Sequence, residues 1–533
     1  MHRTLNVLIL ASGALAVLGT TPCFAGPGDA KPLSLVPAEL ARVGAVDERF
    51  QSYNIEMVEV TGGRFWKPYA SKSEAVKADT KQADANQPAG MDPSLYEYRQ
   101  PIDLSVPRLR KLAAALGPAF VRVSGTWANT TYFQNSDEPA PATPPKGFKG
   151  VLTRAQWKGV VDFSNAVDAR LVTSFAVSDG VRDAAGVWTP DQAKQILDYT
   201  KSVGGTIVAA EFMNEPTFPE IGGAPKGYDA AAFGRDFAIF HTFIKQAAPN
   251  MYILGPGGVG EGSALLPASM HPLTTGALLS VTGPVFDGFS YHTYGAVSSR
   301  CGAMGGDAST TSAAALTEDW LGRGAANEAY YAGIRDILDP GKRMWLTETA
   351  QAACGGDRWA SSFVDSFRYL NQMGALAKAG VQAHMHNTLA ASDYGLLDEK
   401  TYEPRPNYWA ALLWRRLMGT TVLDAGDSPA PSLHLYAHCL RNQKEGVALL
   451  AINASQTDAQ TLDIPSVSEA YTLTAQDLMG TEVKLNGNTL KLGADDALPE
   501  LKGTPTRSGK ITFAPASITF LALPKAKNTN CRQ

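Results

Sequence analysis

Two glutamates in this chain are of a residue type that can hydrolyse a glycosidic bond, provided that the fold brings them together. Glu215 lies in the run Ile-Val-Ala-Ala-Glu-Phe-Met-Asn-Glu-Pro, and Glu348 lies in Met-Trp-Leu-Thr-Glu-Thr, 133 positions further along. Each follows a short apolar run of the kind that forms a buried strand. A strand that ends in a carboxylate leaves that charge at the rim of a sheet, and two such carboxylates are the minimum for this chemistry.

The pattern around the two glutamates predicts an α/β fold, a (β/α)8 TIM barrel. Counted along the predicted strands, Glu215 follows the fourth and Glu348 ends the seventh. In such a barrel the active-site residues lie at the carboxyl ends of the strands, so we expect the two carboxylates to face each other across the mouth. The eight predicted strands are Tyr53–Val60, Ala119–Ser124, Arg170–Val177, Thr206–Met213, Met251–Gly255, Phe286–Tyr291, Arg343–Thr347 and Val381–Thr388.

Helical patterns separate these strands. The sequence Thr189-Pro190-Asp191-Gln192 has the form of a capping box with proline at the first helical position. The rival fold is an open doubly wound sheet, but the first strand is not followed by the Gly-x-Gly-x-x-Gly motif of nucleotide-binding sheets. The other predicted helices are Pro107–Leu116, Asp229–Ala248 with Asp229 as N-cap, Ala325–Leu338 and Phe363–Ala379.

A C-terminal antiparallel β-sandwich is predicted after the barrel, because short strands separated by Asn-Gly, Gly and Pro turns follow residue 420. We expect a signal peptide over 1–25, an N-terminal segment 26–48 that joins the sandwich, the barrel over 49–420 and the sandwich over 421–533. The predicted sandwich strands are Leu433–Cys439, Gly446–Asn453, Thr461–Ile464, Tyr471–Thr474, Glu482–Leu485, Thr489–Leu492 and Ile511–Ala522.

Composition and the N-terminus limit the classes of function. The chain is 44% apolar and 18% charged with a net charge of −4, so it has no overall basic field that would favour nucleic acid. The apolar run Leu5–Leu18 follows His2 and Arg3 and precedes a small residue at Ala25, which predicts an export signal and a secreted or periplasmic protein. We expect no membrane span after its removal, and the oligomeric state stays open.

Three long loops are predicted on the barrel. They cover residues 67–105, the proline-rich 134–149 and the Gly-, Ser- and Ala-rich 295–325. Long loops in compact domains are commonly functional. The first and third are expected on the catalytic face, where the first would wall off one end of a cleft.

Several motifs, taken in order, resemble the heparanase family, glycoside hydrolase family 79, within the large clan of retaining barrel glycosidases. The resemblance spans roughly residues 34–531. The motifs are Leu116–Thr126, Ala210–Pro216 with its Asn-Glu-Pro, Ser290–Gly295, Leu346–Thr349, Asp393–Glu399, Pro406–Trp414 and Val483–Lys491. The resemblance implies that Glu215 is the acid/base and Glu348 the nucleophile.

The same resemblance, with simple chemistry, assigns helpers to the two glutamates. Tyr294, after the sixth strand, would hydrogen-bond the nucleophile and keep it ionised. Asn214 would bind the sugar 2-hydroxyl, a contact that strengthens toward the transition state. His292 matches a subsite position.

Other matched positions imply contacts with a uronic acid. The turn of Ser392, Tyr394 and Gly395 matches the place where this family holds the sugar carboxylate, although the animal enzymes have glycine where this chain has Ser392. Thr126 and Glu56 match sugar-hydroxyl contacts, with Glu56 replacing a shorter aspartate, and His386 is placed in the glycan cleft. His384 and His386 alternate on the eighth strand, but no third ligand is evident, so no metal or other cofactor is expected.

Four cysteines remain after the signal, which permits two disulfides in three pairings. The resemblance implies a bond between Cys439 and Cys531 that ties the sandwich to the C-terminal tail. Cys301 and Cys354 follow the sixth and seventh strands, which are neighbours in a barrel, so we expect them to form the second bond.

The predicted activity is hydrolysis of β-glucuronides with retention of the configuration at the anomeric carbon. The predicted partner is a glucuronide or a glycan containing glucuronic acid. Lys146 and Lys149 correspond to one basic cluster of the heparanases, but the run Gly258–Leu266 contains no Arg or Lys where a second cluster belongs. Exo action is therefore favoured over heparanase-type endo cleavage of sulfated chains. The alternative of another class is a non-catalytic glycan-binding protein, and both glutamates together with Tyr294 argue against it.

Overall fold

The structure is a computed structural model that describes residues 34–69, 92–262, 273–302 and 309–532. The predicted signal peptide and much of the loop 67–105 lie outside the described residues. Among the described residues, none of the helices is long and apolar enough to cross a membrane.

Eight parallel strands form a closed barrel, as the sequence predicted. We number them β1 to β8, and each pairs with the next in chain order while β8 pairs with β1. Most of their residues are buried on both faces, as expected for parallel strands covered by helices. The strands are β1 Gln51–Glu56, β2 Ala119–Ser124, β3 Ala169–Ser174, β4 Ile207–Glu211, β5 Tyr252–Gly258, β6 Gly288–Tyr294, β7 Arg343–Ala350 and β8 Ala383–His386.

Side-chain alternation along the strands creates two layers inside the barrel. The lower layer is apolar and includes Phe120, Ala209 and Trp345. Because side chains alternate, the residues two positions later share the same face. Arg122 and Glu211 therefore lie directly above this apolar floor, toward the carboxyl ends of the strands.

A β-bulge in β7 changes the direction of its last side chains. Leu346 pairs with Tyr291 on β6, but the next pair joins Glu348 to His292, so Thr347 is an extra residue. A bulge of this kind re-aims the side chains that follow it. Thr347 and Glu348 consequently both place their polar groups inside the barrel, where each contacts a side chain of another strand.

Helices surround the strands, and several predicted boundaries were wrong; for example, the helix predicted over Ala325–Leu338 begins at Glu318. The strand predicted over Tyr53–Val60 stops at Glu56, because Glu56 and Glu59 form a capping box that starts a short helix. The helix predicted to be capped by Thr189 has Pro190 at its N-cap, without a side-chain cap. The helices are Met57–Thr61, Pro107–Ala115, Arg154–Ala166, Asp191–Ser202, Ala230–Ala247, Thr275–Thr282, Glu318–Leu338, Val364–Lys378 and Pro406–Leu417.

An antiparallel sheet domain follows the barrel. Its large sheet also contains Arg42–Ala45 from the N-terminal segment, which pairs with Met418–Leu423. The strand predicted over Ile511–Ala522 is two strands, Gly509–Phe513 and Ser517–Leu523, that belong to different sheets. The other strands of the large sheet are Leu433–Leu440, Val447–Asn453, Ser468–Thr474, Lys484–Leu485, Asn488–Thr489 and Thr504–Thr506.

A second sheet completes this domain. Gln460–Ile464 pairs with Gly509–Phe513, and their buried Leu462 and Phe513 share a core with Leu449 and Leu521 of the large sheet. The two sheets therefore pack face to face.

Two further strand pairs belong to the long loops of the barrel. Gly63–Trp66 pairs with Tyr96–Arg99 in antiparallel fashion after β1, and Thr131–Gln134 pairs with Gly150–Thr153 in parallel fashion after β2. The structure joins Cys301 to Cys354 and Cys439 to Cys531, the two pairs expected from the sequence. The first disulfide links the loops that follow β6 and β7.

Candidate active site

The carboxylate of Glu348 on β7 is held from two sides. Arg122 on β2 donates from Nη1 to Glu348 Oε2 at 2.9 Å, and the Tyr294 hydroxyl at the end of β6 donates to Oε1. All three side chains are buried. Hydrogen bonds from a cation and a hydroxyl are charge-assisted and stabilise the ionised form of a carboxylate.

Glu215 lies in the loop four residues after β4 and has a different environment. Its side chain is 21% exposed, and Oε1 lies 3.0 Å from His292 Nδ1. Burial and the negative charge of Glu348 raise the pKa of Glu215, while the hydrogen bond with His292 acts in the opposite direction. Its φ of +48° is in the left-handed region, a strained conformation for a residue other than glycine. Burial and the nearby charge thus favour the protonated form of Glu215.

The two carboxylates are close enough to act on one anomeric carbon. One oxygen of Glu215 and one of Glu348 lie within 4.8 Å of each other, and a ring nitrogen of His292 lies within the same distance of both. Retaining glycosidases place their carboxyl groups roughly 5 Å apart, and inverting ones roughly 6.5 to 9.5 Å apart. The observed separation fits the retaining class.

His292 on β6 connects the two carboxylates. Its Nδ1 lies 3.0 Å from Glu215 Oε1 and 3.8 Å from Glu348 Oε2, and its Nε2 lies 3.9 Å from Glu211 Oε1. Burial by itself lowers the pKa of His292, but Glu348 and the hydrogen bond with Glu215 outweigh it and raise that pKa. A protonated imidazole between acidic groups offsets part of their mutual repulsion.

Arg122 and Glu211 form the base of the site, and sequence reasoning did not assign either. Arg122 Nη2 and Nε donate to Glu211 Oε2 at 2.8 and 3.0 Å, and Ser290 and Thr347 donate to Glu211 Oε1 at 2.7 and 2.8 Å. Burial raises the pKa of Glu211, but the charges of Arg122 and His292 together with the hydrogen bonds from Ser290 and Arg122 outweigh burial, so that pKa is lowered. An arginine in the middle of the apolar run Ala-Phe-Val-Arg-Val-Ser was the available signal, since a buried charge needs a partner.

Asn214 is fixed in place by its neighbours. Its Oδ1 accepts a 2.7 Å bond from Arg122 Nη2. The Asn129 side chain forms two bonds of 2.9 Å with the Asn214 backbone, since its Nδ2 donates to the carbonyl oxygen and its Oδ1 accepts from the N–H. Asn214 Nδ2 is buried and has no partner among the described residues. This donor group is available for a ligand hydroxyl.

Asn387, which follows β8, is a second residue that sequence reasoning missed. Its Nδ2 lies 3.0 Å from Glu56 Oε1 and 3.3 Å from both the Tyr294 and the Tyr394 hydroxyl oxygens. Its amide therefore links the predicted subsite residues to the neighbourhood of Glu348, whose Oε1 is 3.5 Å away. The signal available was a lone amide residue after the eighth strand.

Glu56 is a buried carboxyl that faces the same space. Burial and the charge of Glu348 raise the pKa of Glu56 well above its ordinary value. Its Oε2 occupies the place where a side chain at residue 125 would lie, since a Cβ on Gly125 would be 1.5 Å from it. Gly125, with φ of +88°, therefore leaves the room that this longer carboxylate needs.

The turn over residues 392–395 presents two adjacent backbone amides. Arg405 Nη1 donates to the carbonyl oxygens of Ser392, Asp393 and Gly395 at 2.7, 3.1 and 3.3 Å. The N–H groups of Tyr394 and Gly395 have no acceptor among the described residues, although both residues are buried. Ser392 has φ of +56°. Consecutive amides in such a turn form a concavity that binds anions.

One predicted subsite residue, His386, lies elsewhere than expected. His386 is completely buried, with its Nε2 2.7 Å from the Tyr394 carbonyl oxygen, and burial lowers its pKa to about 3. It therefore supports the turn and does not face an open cleft. Thr126 is half-buried at the start of a short 3-10 helix after β2. The Ser392 hydroxyl donates to the Gly355 carbonyl oxygen at 3.0 Å and is occupied by that bond.

Glu215, His292 and Glu348 also have the spacing of three ligands around a cation. Their atoms already have partners, because Arg122 and Tyr294 contact the two oxygens of Glu348 while His292 contacts Glu215. A cation would have to displace these bonds and would lie beside the Arg122 guanidinium. The donor set fits an acid–base pair better than a metal centre.

Comparison with known proteins agrees with the geometry. No protein-family model matches the chain. Mouse heparanase is 26% identical over 504 residues, which cover 80% of this chain and 88% of that protein. The chain is a homologue of the heparanases. A baicalin β-D-glucuronidase of Scutellaria baicalensis is 25% identical over 469 residues, covering 79% of this chain and 84% of that enzyme.

The fold of this heparanase homologue also occurs in solved structures. A 4-O-α-L-rhamnosyl-β-D-glucuronidase from Fusarium oxysporum superimposes with a TM-score of 0.61 at 12% identity, covering 92% of this chain and 99% of that one. At this identity the likeness concerns the fold alone.

Proposed function

We propose that this protein is a retaining glycoside hydrolase that cleaves β-glucuronide linkages by double displacement. The observation that carries the proposal is the pair Glu215 and Glu348, which lie within 4.8 Å of each other in unlike surroundings. Arg122 and Tyr294 stabilise negative charge on Glu348, whereas burial favours the protonated form of Glu215. Two carboxyls whose environments separate their protonation are the required acid and nucleophile.

In the first step Glu215 donates its proton to the glycosidic oxygen while a Glu348 oxygen bonds to the anomeric carbon. The carbon–oxygen bond to the aglycone breaks, and the aglycone leaves as an alcohol. The product is a glycosyl ester of Glu348. Glu215 is then a carboxylate, and its contact with His292 stabilises that charge.

In the second step Glu215 accepts a proton from a water molecule, whose oxygen bonds to the anomeric carbon. The ester bond breaks and Glu348 leaves as a carboxylate. Glu215 is protonated again, and one water has been consumed. Two inversions at the anomeric carbon give net retention of its configuration.

Tyr294 and Asn214 are proposed to assist both steps. Tyr294 orients Glu348 through its hydroxyl. The free Nδ2 of Asn214 would bind the sugar 2-hydroxyl, a contact that strengthens as the ring becomes oxocarbenium-like. Both side chains are buried and so hold their positions before substrate arrives.

The uronic acid carboxylate is proposed to bind at the Ser392–Gly395 turn. Adjacent amides of Tyr394 and Gly395 supply donors, and the buried Tyr394 hydroxyl lies beside Asn387. A side chain at residue 395 would collide with backbone, since a Cβ there would lie 2.9 Å from the Leu397 carbonyl oxygen. Glu56 is proposed to contact a sugar hydroxyl, as is Thr126. The names of the relatives, heparanase and glucuronidases, agree with a uronic acid substrate.

Exo action is favoured over endo cleavage of heparan sulfate-like chains. Sulfate groups are held mainly by Arg and Lys side chains, and Gly258–Leu266 carries neither. The strand Gly63–Trp66 also crosses toward the loop after β7, where Trp66 lies against Gly355. The two disulfides support a secreted or periplasmic location, because such bonds persist in oxidising compartments.

A panel of glucuronides tests the proposal. Aryl β-glucuronides and unsulfated and sulfated polymers would be incubated with the protein, with product sizing and with NMR of the first-formed anomer. We expect release of free glucuronate as the β-anomer. Shortening of heparan sulfate without free glucuronate would establish the endo alternative, and glycan binding without hydrolysis of any glucuronide would establish a non-catalytic protein.

A further inference from the structure

Tyr69 lies between two guanidinium groups at the edge of the candidate site. The Arg300 Cζ lies 4.1 Å from the centre of the Tyr69 ring, and the Arg358 Cζ lies 4.5 Å from it. A cation over the face of an aromatic ring is attracted to it, and here two cations contact one ring. Tyr69 follows the strand Gly63–Trp66, so this contact fixes the chain shortly after that strand.

Polar bonds hold Tyr69 at both of its ends. Its hydroxyl lies 2.9 Å from Ser298 Oγ and 2.8 Å from Ser299 Oγ, and it accepts a 2.9 Å bond from the Arg300 amide. Its own amide donates to Asp393 Oδ2 at 3.2 Å, and Arg300 is ion-paired with the same carboxylate. We call the group of Tyr69, Ser298, Ser299, Arg300, Arg358 and Asp393 the Tyr69 clamp.

The partners of Tyr69 belong to a braced part of the barrel rim. Arg300 directly precedes Cys301, whose disulfide with Cys354 links the loops after β6 and β7. Arg300 also donates to the Lys67 carbonyl oxygen. The side chains of Arg300 and Asp393 are only 7% and 9% exposed. The clamp is therefore a built structure that ties three loops together.

One residue of the clamp, Asp393, lies on the side of the barrel opposite the strand that precedes Glu215. Asp393 belongs to the loop after β8, and β8 stands four strands from β4 on the closed ring of eight. If Glu215 protonates the glycosidic oxygen, the aglycone lies on its side of the site. The sugar that is cleaved off, and any residue attached to its non-reducing side, must then extend toward Tyr394 and its neighbour Asp393.

We propose that Tyr69 is a specificity-determining residue, and that its clamp closes the non-reducing side of the site so that only a terminal glucuronate enters. The proposal rests on the proposed function and deepens it. A closed end leaves space for one sugar, whereas an open groove admits a chain on both sides of the cleaved bond. With this side closed, the enzyme would act on glucuronate at the end of a glycan chain and not within the chain.

The test uses an unsulfated polysaccharide with internal β-linked glucuronate whose non-reducing ends are capped by a different sugar. The wild-type protein should leave this capped polymer intact while it hydrolyses an aryl β-glucuronide. Tyr69→Ala should shorten the capped polymer by internal cuts, about tenfold or more faster than wild type. Arg358→Ala removes one of the two cations that contact the Tyr69 ring, and Arg358 is itself exposed. This variant should also cut the capped polymer faster than wild type, but by a smaller factor than Tyr69→Ala.

Tyr98→Ala is the matched control, because Tyr98 is 40% exposed on the paired strand Tyr96–Arg99 and lies outside the clamp. It should behave as wild type on both substrates. Thermal unfolding of each variant separates a changed site from a protein that no longer folds, and Arg358→Ala keeps the test available if Tyr69→Ala unfolds.

The proposal is overturned if the wild-type protein cuts the capped polymer as fast as Tyr69→Ala. It is equally overturned if folded variants hydrolyse the aryl β-glucuronide but leave the capped polymer intact. If the wild-type protein hydrolyses neither substrate, the proposed function itself fails, and the role of Tyr69 fails with it.

Discussion

Arg122 Nη1 lies 2.9 Å from Glu348 Oε2 in a part of the barrel where both side chains are almost completely buried. The same guanidinium also holds Glu211 and Asn214, so a single cation orients the proposed nucleophile and its surroundings. A buried charge that loses its partner is strongly destabilising, which makes this contact important for both stability and catalysis.

Arg122→Lys should therefore reduce kcat. Lysine keeps the charge but lacks the planar fork that reaches Glu348 and Glu211 together. Loss of one charge-assisted hydrogen bond costs about 1.5 to 3 kcal/mol, which corresponds to roughly 10- to 100-fold in rate. Steady-state kinetics on an aryl β-glucuronide measure this loss of kcat. Arg170→Lys, at an exposed position of β3, is the control, and equal kinetics for the two variants would contradict the role of Arg122.

The raised pKa of Glu215 predicts the alkaline limb of the pH profile. Because Glu215 must carry the proton that it donates, kcat/KM should fall as pH rises through its pKa, which burial places above the ordinary glutamate range of about 4.3. Glu215→Ala should lose roughly 100-fold or more with a poor leaving group and much less with an activated one. It should also lose the alkaline limb, and persistence of that limb in Glu215→Ala would assign the acid to another residue.

Arg405 positions the proposed carboxylate site without touching substrate. Its Nη1 donates hydrogen bonds to three carbonyl oxygens of the turn over residues 392–395. In Arg405→Gln we expect KM for a glucuronide to rise about tenfold, equivalent to about 1.4 kcal/mol of binding, with a smaller change in kcat. Arg416→Gln, at an exposed position of the helix Pro406–Leu417 that follows Arg405, should leave KM unchanged. An unchanged KM in Arg405→Gln would show that the turn does not hold the carboxylate.

Asp339 offers a test of stability that is separate from catalysis. It is completely buried, and neither carboxylate oxygen has a hydrogen-bond partner among the described residues. Burial raises its pKa from 3.8 to about 6. A carboxyl whose pKa is raised in the folded state stabilises the fold less as pH increases, so this destabilisation develops between about pH 4 and 6 and persists above.

Asp339→Asn should remove this pH dependence. We expect a gain of up to about 3 kcal/mol in the free energy of unfolding at pH 8 and little change at pH 4. Chemical denaturation at both pH values measures the gain, with activity on an aryl β-glucuronide as the control for an intact site. A variant less stable than wild type at pH 8 would contradict the account.

The sequence allowed the barrel and its two glutamates to be predicted because strand periodicity and strand order are local properties. The positions of Glu215 and Glu348 after the fourth and in the seventh strand follow from counting alone. The direction of the Glu348 side chain does not, because it depends on the extra residue Thr347 in the pairing of β7. A bulge is defined by the pairing of two strands, so it cannot be predicted from the sequence of one strand alone.

Arg122, Glu211 and Asn387 were missed for a related reason. Their roles come from contacts between strands that are far apart in sequence, such as the bond from Arg122 to Glu348. His386 departs from expectation in the opposite way: the family resemblance implied a place in the glycan cleft, but it could not show that the Tyr394 carbonyl oxygen is bound to the His386 ring. Partners across a barrel can be identified only once the barrel is closed.

The central claim, that Glu348 is the nucleophile and Glu215 its acid/base partner, is tested most directly by trapping the intermediate. An aryl 2-deoxy-2-fluoro-β-glucuronide with a good leaving group should form a stable ester, because the fluorine slows the second step more than the first. Mass spectrometry of the digested protein is predicted to find one fluoroglucuronyl group on the peptide that contains Glu348. A label on the peptide that contains Glu211 or Glu215, or turnover with an inverted anomer and no label, would contradict the account.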